Sequence, residues 1–397
     1  MLEYAGSQRA GLRAEREAPG LLSIVRSFDW ILLVGVAGLV VVGLWGVAGV
    51  TKFVIPDDPS YYLNRQILYA CVGGVVLVAA ALVDPDVYRR YWRPIFVGTA
   101  VVIAGVLLIG HAARGSTRWI SLGFFTFQPS EFGKLLFVLA LAGMLVERQR
   151  VIGAWETTLR VVGLGLVPVL LVFAEPDLGT ALVYLAALGA ILFVSGVPWK
   201  HLAVLGAVVL FIAVGVLWAG PAAGVNVLKS YQQQRLTCFT HPSTCSVAAR
   251  YNVEQSITTV GSGQTLGRGI NGSTQVTLGF LPESQTDFVF AGFAEQRGFV
   301  GAALLLGLYL LVLWRGLRVV TVARDLYSAV VAGGIVVALL FQIFVNVGMT
   351  MGIAPITGIP LPFVSVGGSS LIANLAAMGV LLAIHARGRV SRYSRRR

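Results

Sequence analysis

Apolar residues run in blocks of sixteen or more along nearly the whole chain. Polar segments near 1–28, 52–65, 84–93, 112–130, 147–158, 174–178, 197–201, 220–287, 315–326 and 350–368 separate them, and a polar tail begins at 387. Each block is long enough, or nearly so, for a tilted helix across roughly 30 Å of hydrocarbon. The pattern predicts an all-α fold, a polytopic transmembrane helical bundle of about ten spans. It divides the chain into an N-terminal segment at 1–28, a ten-span membrane domain at 29–386 and a basic tail at 387–397. Most connections are short, but about 65 residues, roughly 220–287, separate the seventh span from the eighth. Loops of that length usually carry function.

Composition narrows the class. Of 397 residues 56% are hydrophobic and 12% are charged, against roughly 25% charged in a soluble domain, which excludes a soluble protein as well as a disordered or collagen-like one. The 47 glycines suit membrane helices, whose neighbours are held by close packing. With the N-terminus in the cytoplasm, twenty of the thirty basic residues fall on inward segments, from Arg9 to the six arginines between Arg387 and Arg397. That bias predicts a multi-pass protein of the cytoplasmic membrane with both termini inside. The net charge of +12 is dispersed over loops and tail, where anionic headgroups attract it, so the expected partners are membrane lipids and not nucleic acid. The segment before Asp29 is too long and polar for a cleaved signal, so the first apolar run is expected to stay as a span.

Cys71 lies in an apolar run and is expected to pack as a small hydrophobe. Cys238 and Cys245 share the long outer loop, seven positions apart, and are expected to form a local disulfide. The four histidines sit in different segments and give no metal-ligand spacing. The glycine-rich stretch from Gly261 to Gly272 fits neither the phosphate-loop nor the dinucleotide template. Two readings remain for it: a flexible hinge, or a backbone that approaches a bulky substrate closely.

Asp287 is the foremost candidate. It lies at the outer start of the eighth span, where water gives way to hydrocarbon and desolvation makes a carboxylate a better base. On a helical lattice Glu295 and Arg297 fall within roughly 80° of it, about 12 Å and 15 Å deeper. Ionisable groups at such depth usually face a bundle interior or a wet cavity. The alternative is structural, with Asp287 capping the helix and Glu295 paired to Arg297. A second constellation is Arg118-Trp119 followed by Gln128-Pro-Ser130-Glu131-Phe-Gly-Lys134. Ser130 is expected to N-cap the fourth span with Glu131 in its first turn, and Lys134 is one turn on, close enough to pair with Glu131. Either this is capping plus one ion pair, or Lys134 with Arg114 or Arg118 holds a phosphate at the outer face. Glu175-Pro-Asp177-Leu-Gly-Thr180 reads as a tight turn at the membrane edge. Three prolines between Pro355 and Pro362 preclude a regular helix and predict a covered, re-entrant or extended segment. Gln342 and Asn346 are expected to satisfy its backbone groups.

These ordered motifs carry a resemblance. Arg118-Trp119-Ile, Gln128-Pro-Ser-Glu131 with Lys134, Glu175-Pro-Asp-Leu-Gly-Thr180, Tyr231-Gln-x-x-Arg235, Gln255-Ser256, Leu281-Pro-Glu283 through Thr286-Asp287-Phe288, and Pro360-Leu-Pro-Phe-Val-Ser365 with Gly367-Gly-Ser-Ser370 are similar to those of the SEDS cell-wall polymerases (shape, elongation, division and sporulation). The resemblance covers essentially the whole chain and leans toward the elongation members over the division members. The chain departs from that pattern at Val366, where the family commonly has tyrosine, and at Gln296, where a second acidic residue is common.

The resemblance implies a peptidoglycan glycosyltransferase that polymerises lipid II at the outer face of the membrane, alongside a class B penicillin-binding protein and other elongation-complex proteins. It implies Asp287 as the catalytic residue. Lys134, Arg118 and Arg235 are expected near the pyrophosphate, and Glu131, Asp177 and Glu283 as hydrogen-bonding or metal partners, with Gln128, Thr286, Ser365 and Glu295 completing the substrate site. No cofactor is required by the motifs, although a divalent cation, Mg or Mn, would suit a pyrophosphate leaving group. A flippase for the lipid-linked precursor is the competing reading, and a binding scaffold a weaker third.

Overall fold

The computed structural model describes residues 21–394 apart from 56, 110, 114–115, 122–124, 217–231, 236–238 and 240–246. Cys238 and Cys245, with their expected disulfide, lie outside the described residues, as do Arg114 and Tyr231.

Among the described residues, ten apolar helices occupy the places of the ten expected spans. Seven are long and apolar enough to cross a membrane: α2 (Trp30–Val50), α3 (Tyr61–Leu82), α6 (Pro129–Glu147), α7 (Trp155–Ala174), α13 (Val289–Val322), α14 (Leu326–Thr350) and α15 (Gly368–Ser394). Three shorter apolar helices complete the set: α5 (Trp92–Ile109), α8 (Leu178–Val194) and α9 (Trp199–Val214). The chain is a multi-pass membrane protein. Short helices α1 (Leu21–Arg26) and α4 (Pro85–Arg90) lie at the end of the bundle expected to face the cytoplasm.

Aspartates start several spans by accepting backbone N–H groups that a first helical turn leaves unpaired. Asp29 accepts from Leu32 N at 3.1 Å, Asp177 from Thr180 N at 3.0 Å and Asp325 from Ser328 N at 2.8 Å. Asp29 also accepts Arg315 of α13 at 2.6–3.1 Å, a buried bidentate pair that ties the first span to the eighth. The apolar windows of α15, α6 and α14 are the most enclosed, so these helices form the interior. Outer helices present residues such as Leu108 and Phe211 outward. Cys71 is exposed on α3 instead of packed inside. Lipid tails offer it an environment as apolar as the core.

Two elements escaped the hydrophobic pattern. A three-stranded antiparallel ribbon, β1 (His111–Ala113), β2 (Ser116–Ser121) and β3 (Thr126–Phe127), bridges α5 and α6. In the long loop, α10 (Val247–Ser262) and the short helices α11 (Gly269–Gly272) and α12 (Thr274–Thr277) pack beside α13.

Part of the glycine-rich stretch packs directly on α13, where a Cβ at Gly263 would come within 2.1 Å of Ala294 O and one at Gly267 within 2.4 Å of Gln296 O. Gly298 kinks α13 at φ 66°, and a Cβ there would come within 2.3 Å of Gly267 N. The kink frees the next two N–H groups. Phe299 N donates to Gln264 O at 2.8 Å and Val300 N to Thr265 O at 3.1 Å, so the loop backbone serves as the missing helical turn.

Candidate functional site

Asp287 is positioned by two segments that meet at the expected outer end of the bundle. In the first, Glu283 adopts a left-handed conformation at φ 52°. Its carbonyl accepts from Thr286 N and Phe288 N, both at 3.2 Å, and its Oε2 accepts from Thr286 Oγ1 at 3.2 Å. This tight turn ends in Phe288, the N-cap of α13. Asp287 therefore precedes the helix.

The second segment is the proline-rich stretch before α15, which is extended and covered as expected. Ser365 Oγ donates to Thr286 O at 2.6 Å and accepts from Leu361 N at 2.8 Å, while Val366 N donates to Gln285 O at 2.9 Å. Asn346 of α14 clamps the two together, its Nδ2 donating to Asp287 O at 3.0 Å and Ile359 O at 2.7 Å. Gln342, expected to share that work, instead accepts from Lys134 Nζ at 2.8 Å.

The half-buried Asp287 side chain opens on a cavity of about 260 Å³ whose wall includes Thr286, Arg65, Trp119, Gln128 and Ser369. Arg235 approaches the same carboxylate. A Cβ built on Gly358, at φ 76°, would lie 3.4 Å from an Arg235 guanidinium nitrogen and 3.6 Å from Asp287 Oδ2. A carboxylate, two arginines and hydrogen-bonding groups are thus gathered around one opening.

Behind Gln128 lies a second polar cluster. Gln128 Oε1 accepts from Trp119 Nε1 at 3.2 Å, and its Nε2 donates to Asp177 Oδ2 at 3.4 Å. Arg118 pairs with Asp177 at 3.7 Å and donates to the carbonyls of Glu175 and Pro176. Lys134 pairs with Glu131 at 2.8 Å. Glu175 is fully buried, and neither carboxyl oxygen has a hydrogen-bond partner among the described residues. Burial, reinforced by the charge of Asp177 and opposed by Arg118, pushes its carboxyl up to about 8.

The structure therefore gathers Asp287, Thr286, Gln128, Arg235, Glu283 and Ser365 in and immediately around the opening. Lys134, Glu131, Arg118 and Asp177 are held in the adjoining ion-pair cluster and are not among the residues lining that cavity. Nor do Glu295 and Arg297 join Asp287. Glu295 accepts Gln275 N at 3.0 Å and Val276 N at 3.2 Å, capping α12, and Arg297 stacks on Trp45 at 3.7 Å. The helical-lattice argument failed because Asp287 is off the lattice.

Sequence reasoning missed Arg65, Tyr62 and Tyr69, all in the cavity wall. The signal for Arg65 was present, since it is a cation at the outer start of a span, where the topology rule disfavours one.

A family profile for FtsW/RodA/SpoVE cell cycle proteins matches residues 26–390. The peptidoglycan glycosyltransferase MrdB of Escherichia coli (strain K12) is 37% identical over 328 residues, covering 81% of this chain and 85% of the relative. Stage V sporulation protein E of Bacillus subtilis (strain 168) is 34% identical over 388 residues, covering 97% of this chain and 100% of the relative. A chain solved in work on the structural coordination of polymerization and crosslinking by a peptidoglycan synthase complex superposes with a TM-score of 0.77. It is 31% identical, covering 91% of this chain and 98% of the other.

Proposed function

The chain belongs to the FtsW/RodA/SpoVE family of cell cycle proteins, and from that premise we propose that it is a peptidoglycan glycosyltransferase polymerising lipid II at the outer face of the cytoplasmic membrane, with Asp287 as general base. One observation supports the role of Asp287: it lines the same cavity as Arg65, and its Oδ2 and an Arg235 guanidinium nitrogen both lie beside Gly358 of that wall.

An acceptor sugar hydroxyl gives its proton to an Asp287 carboxyl oxygen as the hydroxyl oxygen bonds to the donor's anomeric carbon. The bond from that carbon to the lipid pyrophosphate breaks, and its electron pair leaves with the pyrophosphate. Arg65 and Arg235 meet the charge that develops there. One base and a good leaving group require no covalent enzyme intermediate, so a single displacement inverts the anomeric centre. Arg118, Lys134, Glu131 and Asp177 act at one remove by holding Gln128 and the start of α6 in place.

The donor groups do not fit a divalent cation held by protein ligands alone. Among the described residues no three histidine, cysteine or acidic side chains converge, and Glu131 and Asp177 are each engaged by a cation. No step is assigned to a metal.

We further infer a class B penicillin-binding protein as partner, which the likeness to a synthase complex joining polymerization with crosslinking supports. Cytoplasmic termini follow from the arginine bias. An elongation role follows from the motif resemblance. The competing transporter reading is tested by reconstituting the purified chain in vesicles with lipid II confined to the outer leaflet. A polymerase forms glycan without translocation; translocation without glycan defeats the proposal.

A further inference from the structure

Beyond the polymerase reading, and independent of it, stands a groove at the opposite end of α6 from Asp287, some 27 Å away by the rise of nineteen helical residues. It measures about 470 Å³ and lies between the start of α5, the end of α6 and the first turns of α7. Its rim carries Arg93, Arg148 and Arg160, and its floor is Met144, Leu164 and the exposed helix position Gly163. A Cβ at Gly163 would meet nothing within 4 Å, so the floor is open.

The charges in and beside this groove are unevenly matched. Glu147 accepts Trp92 Nε1 at 2.7 Å and an Arg93 nitrogen at 3.4 Å, and Arg160 is held by Glu156. The half-buried Arg148 has no carboxylate partner among the described residues, and Arg150 stands in the adjoining recess with Glu147. Four arginines thus face two carboxylates. Exposed Trp155 and Trp199 begin helices at this same end of the bundle and exposed Tyr91 directly precedes α5, and such aromatics mark the headgroup level of a bilayer.

We propose that this groove binds one anionic phospholipid, with its phosphodiester against Arg148, flanked by Arg93 and Arg160, and an acyl chain over Gly163. A cationic rim above an apolar floor matches an amphiphile. A soluble phosphate has the same anionic chemistry but no use for the floor.

Native mass spectrometry of the full chain, titrated with dioleoyl phosphatidylglycerol or dioleoyl phosphatidylcholine, tests this. We expect preferential retention of phosphatidylglycerol and about a fivefold drop in Arg148→Gln, the scale of one arginine at an anionic surface. Gly163→Leu, which leaves every arginine in place and improves helix propensity, should lower retention too. Arg318→Gln, at an exposed arginine expected on the same face, should not. Equal retention of the two lipids, an Arg318→Gln loss matching that of Arg148→Gln, or displacement of the lipid by equimolar glycerol phosphate overturns the proposal.

Discussion

Replacing Asn346 with alanine isolates how the site is held, because this side chain touches the backbone of Asp287 and not its carboxylate. It is fully buried, and its Nδ2 makes two hydrogen bonds, at 3.0 Å to Asp287 O and 2.7 Å to Ile359 O. Removing it leaves two carbonyls without their donor. At about 1–3 kcal/mol for each of the two stranded buried groups, the clamp between the Asp287 turn and the proline-rich segment weakens by about 2–6 kcal/mol. A reacting group displaced by about 1 Å loses on the order of a hundredfold in rate, so kcat for lipid II polymerisation should fall by about that factor. KM should change little, because the cavity-lining side chains remain. The assay is glycan formation by purified protein in detergent, paired with thermal unfolding. Asn346→Asp keeps the shape but puts an acceptor against two carbonyls, and should do no better. Activity of Asn346→Ala within about twofold of the parent, with an unchanged melting temperature, refutes the reasoning.

Three further outcomes follow from named contacts. The carboxyl of Glu175 is raised from 4.5 to about 8, so the folded state holds its proton longer than the unfolded chain does. Stability should therefore decline as pH rises from about 4.5 to about 8. Glu175→Gln should flatten that slope in melting curves, and a slope left intact rejects the assignment. Arg315→Ala strands the buried Asp29 carboxylate and should destabilise by about 3–5 kcal/mol, with Asp29→Ala added on top restoring part of the loss; strictly additive losses in thermal melts disprove coupling. Arg65→Ala removes a cation from the Asp287 cavity and should lower kcat/KM about tenfold at unchanged melting temperature, the scale of one charge-assisted hydrogen bond. A kcat/KM equal to the parent's removes Arg65 from the site.

The spans were legible because crossing hydrocarbon demands a long apolar run, a signal written over twenty residues at a time. The ribbon that carries Arg118 and Trp119 was not, since its strands are two to six residues long and sit inside a polar segment. Local pairings could be read. The Glu131–Lys134 bridge follows from i, i+3 spacing, although the cap before them is Gln128 and not the expected Ser130, because the helix already starts at Pro129. What stayed hidden was every contact made across the chain: Gln342 on Lys134, Asn346 on Asp287, Arg65 in the cavity. Spacing alone also misplaced Glu295, because it assumed that the helix had begun by residue 287, whereas Phe288 is the cap.

The central claim is that the Asp287 carboxylate takes the acceptor's proton. Asparagine at that position preserves size and shape, exchanges one acceptor oxygen for an NH2 donor, and is not a base. The decisive measurement is the rate of lipid II polymerisation by Asp287→Asn, with lipid II affinity and thermal unfolding recorded on the same preparation. Loss of a general base should lower the rate by about 10²–10⁴-fold at unchanged affinity and stability. A rate within about twofold of the parent's contradicts the account.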